Sequence, residues 1–150
     1  MMEPRTRRPG RRHRRLTLYG DGASRGNPGP AGVGVVAHDA RGRMVAGVAE
    51  YLGETTNNVA EYRALLRALE EARAHGAHEI HVYTDSALVT RQITGAYRVK
   101  SPHLSPLHQE ATVALQRFRR WSITHSPRQR NAVADALANQ AIDAQVAGSA

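Results

Sequence analysis

The sequence predicts one α/β domain over residues 16 to 146, a mixed sheet with helices packed on its faces. Three observations carry this. Apolar residues alternate with period two in three successive short segments joined by turn-rich links. From Val59 the period changes to that of a helix, and from there helical and strand patterns alternate to the end of the chain. A chain of 150 residues is long enough to bury roughly 70% of its unfolded surface, so it needs no staple. Its lack of cysteine excludes disulfides, thiolate nucleophiles and zinc knuckles together.

The first strand starts at Leu16, where Leu16 and Leu18 alternate with Thr17 and Tyr19, and its pattern ends at Gly20-Asp21-Gly22. The run Arg25-Gly26-Asn27-Pro28-Gly29-Pro30 is dense in turn residues, and Val33, Val35 and Val36 mark the second strand. After a turn at Asp39 to Gly42, Val45 to Leu52 reads as the third strand, and the short links favour an antiparallel meander. Val59, Tyr62, Leu66 and Leu69, widened by Leu65, Ala68 and Ala72, form the apolar face of a first helix that ends at His75-Gly76. Ile80, Val82 and Tyr83 give a fourth strand stopping at Thr84-Asp85-Ser86. A short helix with Leu88, Val89 and Ile93 then closes at Gly95. Leu107 to Phe118 is helical in pattern, Trp121 to Thr124 is a fifth strand, and Asn131 to Val146 is an Ala-rich last helix, with residues 147–150 left as a flexible tail. The last two strands should run parallel to the first, because a helix separates them.

The net charge of +8 is unevenly placed. Residues 1–15 hold seven Arg against Glu3, a net +6, which reads as a disordered arm that touches polyanions without sequence preference. Two other readings stand beside it. With twenty Arg and the single Lys100, the chain favours Arg throughout, so the arm is also explicable by composition alone. A transit peptide is disfavoured by the absence of Ser and of an apolar face from the arm. No apolar run approaches the ~18 residues of a membrane span, and the expectation is a soluble, cytoplasmic monomer.

Four acids fall on or near the packed side. Asp21 closes the first strand and Asp85 the fourth. Glu61 starts the first long helix on the apolar row of Leu65, Ala68 and Ala72. Asp135 lies in the first turns of the last helix, on a row with Ala138 and Ile142. Buried carboxylates without partners are costly, and no Lys or Arg at helical spacing on those rows offers itself. A cation satisfies all four at once, and oxygen-only ligation suits Mg²⁺ or Mn²⁺ rather than zinc. Each acid also has a structural reading. Glu61 three residues after Asn58 fits a capping box, Asp135 fits a helix N-terminus, and Asp21 and Asp85 fit turns at strand ends. His75, His78 and His81 recur every three residues, but they run from a helix end through a loop into a strand, a poor frame for zinc.

The motifs Asp21-Gly22-Ala23-Ser24 with Gly26-Asn27-Pro28-Gly29, Thr56-Asn57-Asn58 with Glu61, Thr84-Asp85-Ser86, and His125 ten residues before Asp135-Ala136-Leu137-Ala138 occur in this order. Together they resemble type 1 ribonuclease H, over about residues 16 to 145. The resemblance implies a ribonuclease H-like fold, a five-stranded mixed sheet in the order 3-2-1-4-5 with helices on both faces. It further implies that Asp21, Glu61, Asp85 and Asp135 hold two Mg²⁺ ions, with Mn²⁺ as a substitute. Two such ions, ~4 Å apart, align the attacking water and the leaving oxygen across one phosphate, with Asp21 between them. The activity implied is hydrolysis of the RNA strand of an RNA/DNA hybrid, leaving 5′-phosphate and 3′-hydroxyl ends.

By the same resemblance, His125 corresponds to a mobile histidine, in the loop before the last helix, that carries a proton or aids product release. Ser24, Asn27, Asn57 and Asn58 correspond to groups reading RNA 2′-hydroxyls in the minor groove, and Thr56 to a contact with a DNA phosphate. Turn and capping chemistry is the competing use, for Asn27 and Asn58 above all. Two positions depart from the pattern. Ala87 stands where some members carry an amide side chain toward substrate. The segment Gly95 to Ser105, with only Arg98 and Lys100, is too short and too weakly basic for the handle helix of some bacterial members, so the handle-less form is the one resembled.

Overall fold

Alternation of buried and half-buried residues along Leu16 to Tyr19 makes a strand with one face in the core. The computed structural model, which describes residues 14–126 and 128–149, extends that strand from Arg15 to Ser24 (β1). It pairs antiparallel with β2 (Gly29–His38), which pairs antiparallel with β3 (Met44–Thr55). The chain then forms α1 (Asn57–Ala74), β4 (Glu79–Thr84), α2 (Ala87–Ile93), α3 (Ser105–Leu115) and β5 (Arg120–His125). A 3₁₀ turn (Arg128–Asn131) leads into α4 (Ala132–Ser149). β4 is parallel to β1 and β5 to β4, so the sheet order is β3-β2-β1-β4-β5, as the resemblance implied.

The core lies between the sheet and α1, where Leu16, Leu18, Ile80 and Val82 meet Tyr62, Ala64, Leu65, Ala68 and Leu69. α2 and α3 close it with Val89, Ala111 and Leu115. Fully buried Tyr62 satisfies its phenol by donating to Gln92 Oε1 at 2.6 Å, tying α1 to α2. On the opposite face α4 packs on β2 through buried Ala134, Ala138 and Ile142. The strand there is bare. A Cβ on Gly34 would lie 1.9 Å from the Ala134 carbonyl oxygen, and one on Gly32 would lie 2.5 Å from that of Ala138. Glycine in β2 is therefore what lets an alanine-lined helix reach the sheet.

Several boundaries differ from the sequence reading, each for a physical reason. Gly20-Asp21-Gly22 is not a turn. β1 runs through it, with Asp21 opposite Gly34 and Ser24 opposite Ala31. Gly22 serves packing, since a Cβ there would lie 2.2 Å from the Ala60 carbonyl of α1. His125 is the last residue of β5, opposite Thr84, rather than a loop residue. α3 ends at Leu115, and Phe118 reaches the core from the turn that follows. α4 continues to Ser149, so residues 147–149 are helix and not tail; Ala150 lies outside the described residues. At the other end, Arg15 belongs to β1, and the Arg14 carbonyl accepts the backbone N–H groups of His78 and Glu79, both at 3.0 Å. Residues 1–13, most of the expected arm, lie outside the described residues. Among the described residues no helix is long and apolar enough to cross a membrane, and none lies between α2 and α3.

Candidate metal centre

Parallel pairing of β1 with β4 sets Gly20 beside Thr84, and this puts the next residue of each strand, Asp21 and Asp85, side by side. The close approach of α1 at Gly22 supplies Glu61. One carboxylate oxygen from each of the three lies within 4.8 Å of the others. Asp21 is 3% and Glu61 7% exposed. Glu61 Oε1 accepts the Gly22 N–H at 2.8 Å, so the helix acid is aimed by the strand glycine that admits it.

With the cap of α1, this bond excludes the capping-box reading of Glu61. The N-cap of α1 is Thr56, whose Oγ1 accepts the Val59 N–H at 3.3 Å; Asn58 is inside the helix and there is no Asn58–Glu61 capping box. Asp85 is likewise free of capping duty, because Ser86 caps α2 by accepting the Val89 N–H at 3.1 Å.

Burial is the first cause that pushes Asp21 up to about 10, followed by the charges of Glu61 and Asp85. Burial also raises Glu61 to about 8, with the Asp85 charge adding to it and the Gly22 N–H opposing it. Asp135, in the first turn of α4, is not one of the three that converge within 4.8 Å, but it stands close enough to raise both Asp21 and Glu61. Asp21 Oδ2 and Asp85 Oδ1 are buried without a hydrogen-bond partner among the described residues. Orphaned, mutually repelling, all-oxygen donors fit a hard divalent cation, which would supply the missing partner and cancel the repulsion. His75, His78 and His81 form no such group among the described residues.

His125 stands at the rim of this cluster. Its Nε2 lies 3.1 Å from the Asp85 carbonyl oxygen, and the ring is exposed. Ser24 donates to the Thr55 carbonyl at 2.8 Å and also touches that of Gly26, while Asn27 Oδ1 accepts the Asn57 N–H at 3.1 Å. These links bring Ser24, Asn27, Thr56, Asn57 and Asn58 to one edge beside the start of α1. Asn27 thus accepts a backbone N–H at the start of α1, and Asn27, Asn57 and Asn58 are all exposed. Arg25 fastens this edge to α4, through Asp143 Oδ1 at 2.6 Å and Asn139 Oδ1 at 3.2 Å.

One residue that organises the centre escaped the sequence reading. Asn131 is fully buried. Its Nδ2 donates to the Gly20 carbonyl at 3.1 Å, and its Oδ1 accepts from Ser126 Oγ at 3.2 Å. Ser126 in turn donates its backbone N–H to the Thr84 carbonyl at 2.9 Å. A single amide thus couples the residues preceding Asp21 and Asp85 to the base of the helix carrying Asp135. Nothing local distinguishes it, because an Asn just before an Ala-rich helix looks like a cap.

The reverse transcriptase-like family matches residues 19–141 of the chain. Ribonuclease HI of Halobacterium salinarum is 49% identical over 129 residues, and its crystal structure superposes with a TM-score of 0.84, covering 86% of this chain and 98% of the solved one. The N-terminal RNase H domain of Rv2228c from Mycobacterium tuberculosis is 43% identical with a TM-score of 0.86, covering 91% of this chain and 99% of that domain. LC11-RNase H1, isolated from compost and solved in complex with an RNA/DNA hybrid, is 43% identical with a TM-score of 0.83, covering 87% of this chain and 99% of that one. The chain spans 65% of the full Halobacterium relative and 38% of the full mycobacterial one. The sheet order, the carboxylate trio and these matches together place the chain in the type 1 ribonuclease H family, in its handle-less form.

Proposed function

We propose that the chain is a metal-dependent endoribonuclease that hydrolyses the RNA strand of RNA/DNA hybrids and leaves 5′-phosphate and 3′-hydroxyl ends. The observation that carries this reading is the convergence of Asp21, Glu61 and Asp85 within 4.8 Å, with two buried carboxylate oxygens lacking any other partner among the described residues. The LC11 relative, solved with a hybrid, supports the choice of substrate.

Asp21, Glu61, Asp85 and Asp135 would hold two Mg²⁺ ions, or Mn²⁺ in their place, which supply neutralisation of the phosphate charge and a water of lowered pKa. Asp21, repelled by both of its neighbours, would gain most from such a cation, and Glu61 is oriented by the Gly22 N–H. His125, beside the Asp85 backbone and open to solvent, accepts or delivers a proton at its exposed ring. Ser24, Asn27, Asn57 and Asn58 read 2′-hydroxyls along the edge beside α1, and Thr56 meets a phosphate of the DNA strand.

The test is cleavage of a labelled RNA strand annealed to DNA, annealed to RNA, or left single, with Mg²⁺ and with EDTA, beside Asp21→Asn. Metal-dependent cutting of the hybrid alone, abolished by Asp21→Asn, is expected. Binding without cutting under Mg²⁺ and Mn²⁺ would overturn the enzymatic reading, and equal cutting of the RNA duplex would overturn hybrid specificity.

A further inference from the structure

The end of the sheet opposite the carboxylates is arginine-rich in three dimensions as well as in sequence. Arg15 is six residues before Asp21 along β1, a separation of about 20 Å. Around it lies a cleft of about 680 Å³ lined by Arg14, Arg15, Arg41, Arg43, Arg119 and Arg120, with Asp39 and Glu79 as its only carboxylates among the described residues. Backbone hydrogen bonds fix the row. The Arg14 carbonyl accepts from His78 and Glu79, and the His78 carbonyl accepts from Arg119 and Arg120. Pairing then aligns Arg15, Glu79 and Arg120 across β1, β4 and β5, and the β2–β3 turn adds Arg41 and Arg43.

The two acids are already engaged. Asp39 Oδ1 accepts the backbone N–H groups of Arg41 and Arg43, both at 2.9 Å, and Oδ2 takes Arg43 Nε at 3.1 Å. Glu79 Oε2 lies 3.6 Å from Arg15 Nε and 3.2 Å from His81 Nε2. Arg14, Arg41, Arg119 and Arg120 are exposed and have no carboxylate partner among the described residues. Like charges held this close on rigid strand starts are unfavourable alone, and guanidinium groups match phosphate oxygens in pairs. From the β2–β3 turn to β5 the row crosses three strand spacings, about 15 Å, enough to meet several successive phosphates. Among the described residues the lining holds no aromatic carbocycle on which a base would stack, and Ala40 is its only apolar residue, which disfavours base readout and lipid insertion alike.

We propose that this cleft binds the phosphodiester backbone of a nucleic-acid segment lying outside the carboxylate site, without sequence preference. It rests on the nucleic-acid reading above and adds a second anchoring point to it. Five further arginines, Arg5, Arg7, Arg8, Arg11 and Arg12, precede Arg14 in the sequence.

The test uses the full chain in EDTA, with duplex DNA and hybrid as fluorescent probes, across a salt series. The variant is Arg41→Gln/Arg119→Gln/Arg120→Gln. Its control removes the same charge elsewhere, with Arg63→Gln/Arg73→Gln/Arg117→Gln beside the separate cleft between α1 and α3. The first triple is expected to lose about tenfold or more in affinity at low salt and to flatten the log K against log salt slope by about 2 to 3. The control is expected to change the slope by less than about 1, and kcat on a saturating short hybrid should stay at the parent value in both. Equal losses in the two triples would reduce the effect to net charge and overturn the site. So would intact DNA binding with lost binding to phosphatidylglycerol vesicles. Cleavage by the parent chain is read in parallel; if the parent fails to cut the hybrid while the cleft triple still flattens the slope, the enzymatic reading falls and the cleft stands.

Discussion

At Asp21 and Glu61, burial and mutual repulsion oppose ionisation, and this has a measurable sign. Folded and free of metal, the two carboxyls keep their protons up to about 10 and about 8; unfolded, they release them at ordinary carboxylate values. At these two groups the folded state therefore binds more protons, and their contribution to stability is fully present below about pH 4 and is lost as pH rises through about pH 8. Denaturant midpoints in EDTA at pH 5, 6.5 and 8 should fall in that order. Asp21→Asn should flatten the trend, and Mg²⁺ should stabilise the parent most at the highest pH; a midpoint that rises with pH in the parent would contradict this. Asn131→Ala makes a different demand on the same centre. It strands the buried Gly20 carbonyl and Ser126 hydroxyl, so it should cost roughly 1–3 kcal/mol. Because the strand ends shift, it should also raise the Mg²⁺ concentration needed for half-maximal cleavage, whereas a purely structural bond would leave that concentration unchanged.

Among the elements, the contact of α4 with β2 and of α1 with β1 is set by missing Cβ atoms. Gly34→Ala would place a methyl 1.9 Å from the Ala134 carbonyl, against backbone that cannot swing away, and should destabilise by about 3 kcal/mol or more. Gly47→Ala is the internal contrast. Its nearest neighbour would be Leu137 Cδ1 at 3.9 Å, so the substitution should be neutral or stabilising by up to about 1 kcal/mol. Thermal unfolding of the pair separates tight packing from the general cost of altering a strand glycine. At the start of α1, Thr56→Ala removes the cap to Val59 and should cost about 1 kcal/mol.

Over the whole molecule, charge is divided between two sides of one sheet: Asp21 and Asp85 lie toward the C-terminal ends of β1 and β4, and the arginines gather at the starts of β1 and β5 and in the β2–β3 turn. The basic N-terminal segment is expected to strengthen nucleic-acid binding without entering the chemical step. Deleting residues 1–13 tests this better than deleting 1–15, because Arg14 supplies a carbonyl to the start of β4 and Arg15 is part of β1. The deletion should weaken hybrid binding and flatten its salt dependence with kcat unchanged; unaltered binding would refute it.

Periodicity is a local property, and it sufficed for the order and type of every strand and α-helix from Leu16 to Val146, down to the short helix after Asp85. The four acids were visible too, since carboxylates on apolar rows stand out against the cost of burying them. What periodicity could not distinguish was why glycine occupies a position. Gly20-Asp21-Gly22 looks like a turn, and only the approach of α1 shows it to be a packing surface in mid-strand. That Glu61 closes no capping box with Asn58 was hidden in the same way, since its partner is the Gly22 N–H, a group 39 residues away. Sequence alone determined the elements and the chemical character of the candidate site, because spacing and side-chain type are written along the chain. Tertiary structure alone decided which acids meet, that Asn131 couples the strands bearing them, and that arginines from three separate segments share one cleft, because each depends on residues brought together by sheet pairing.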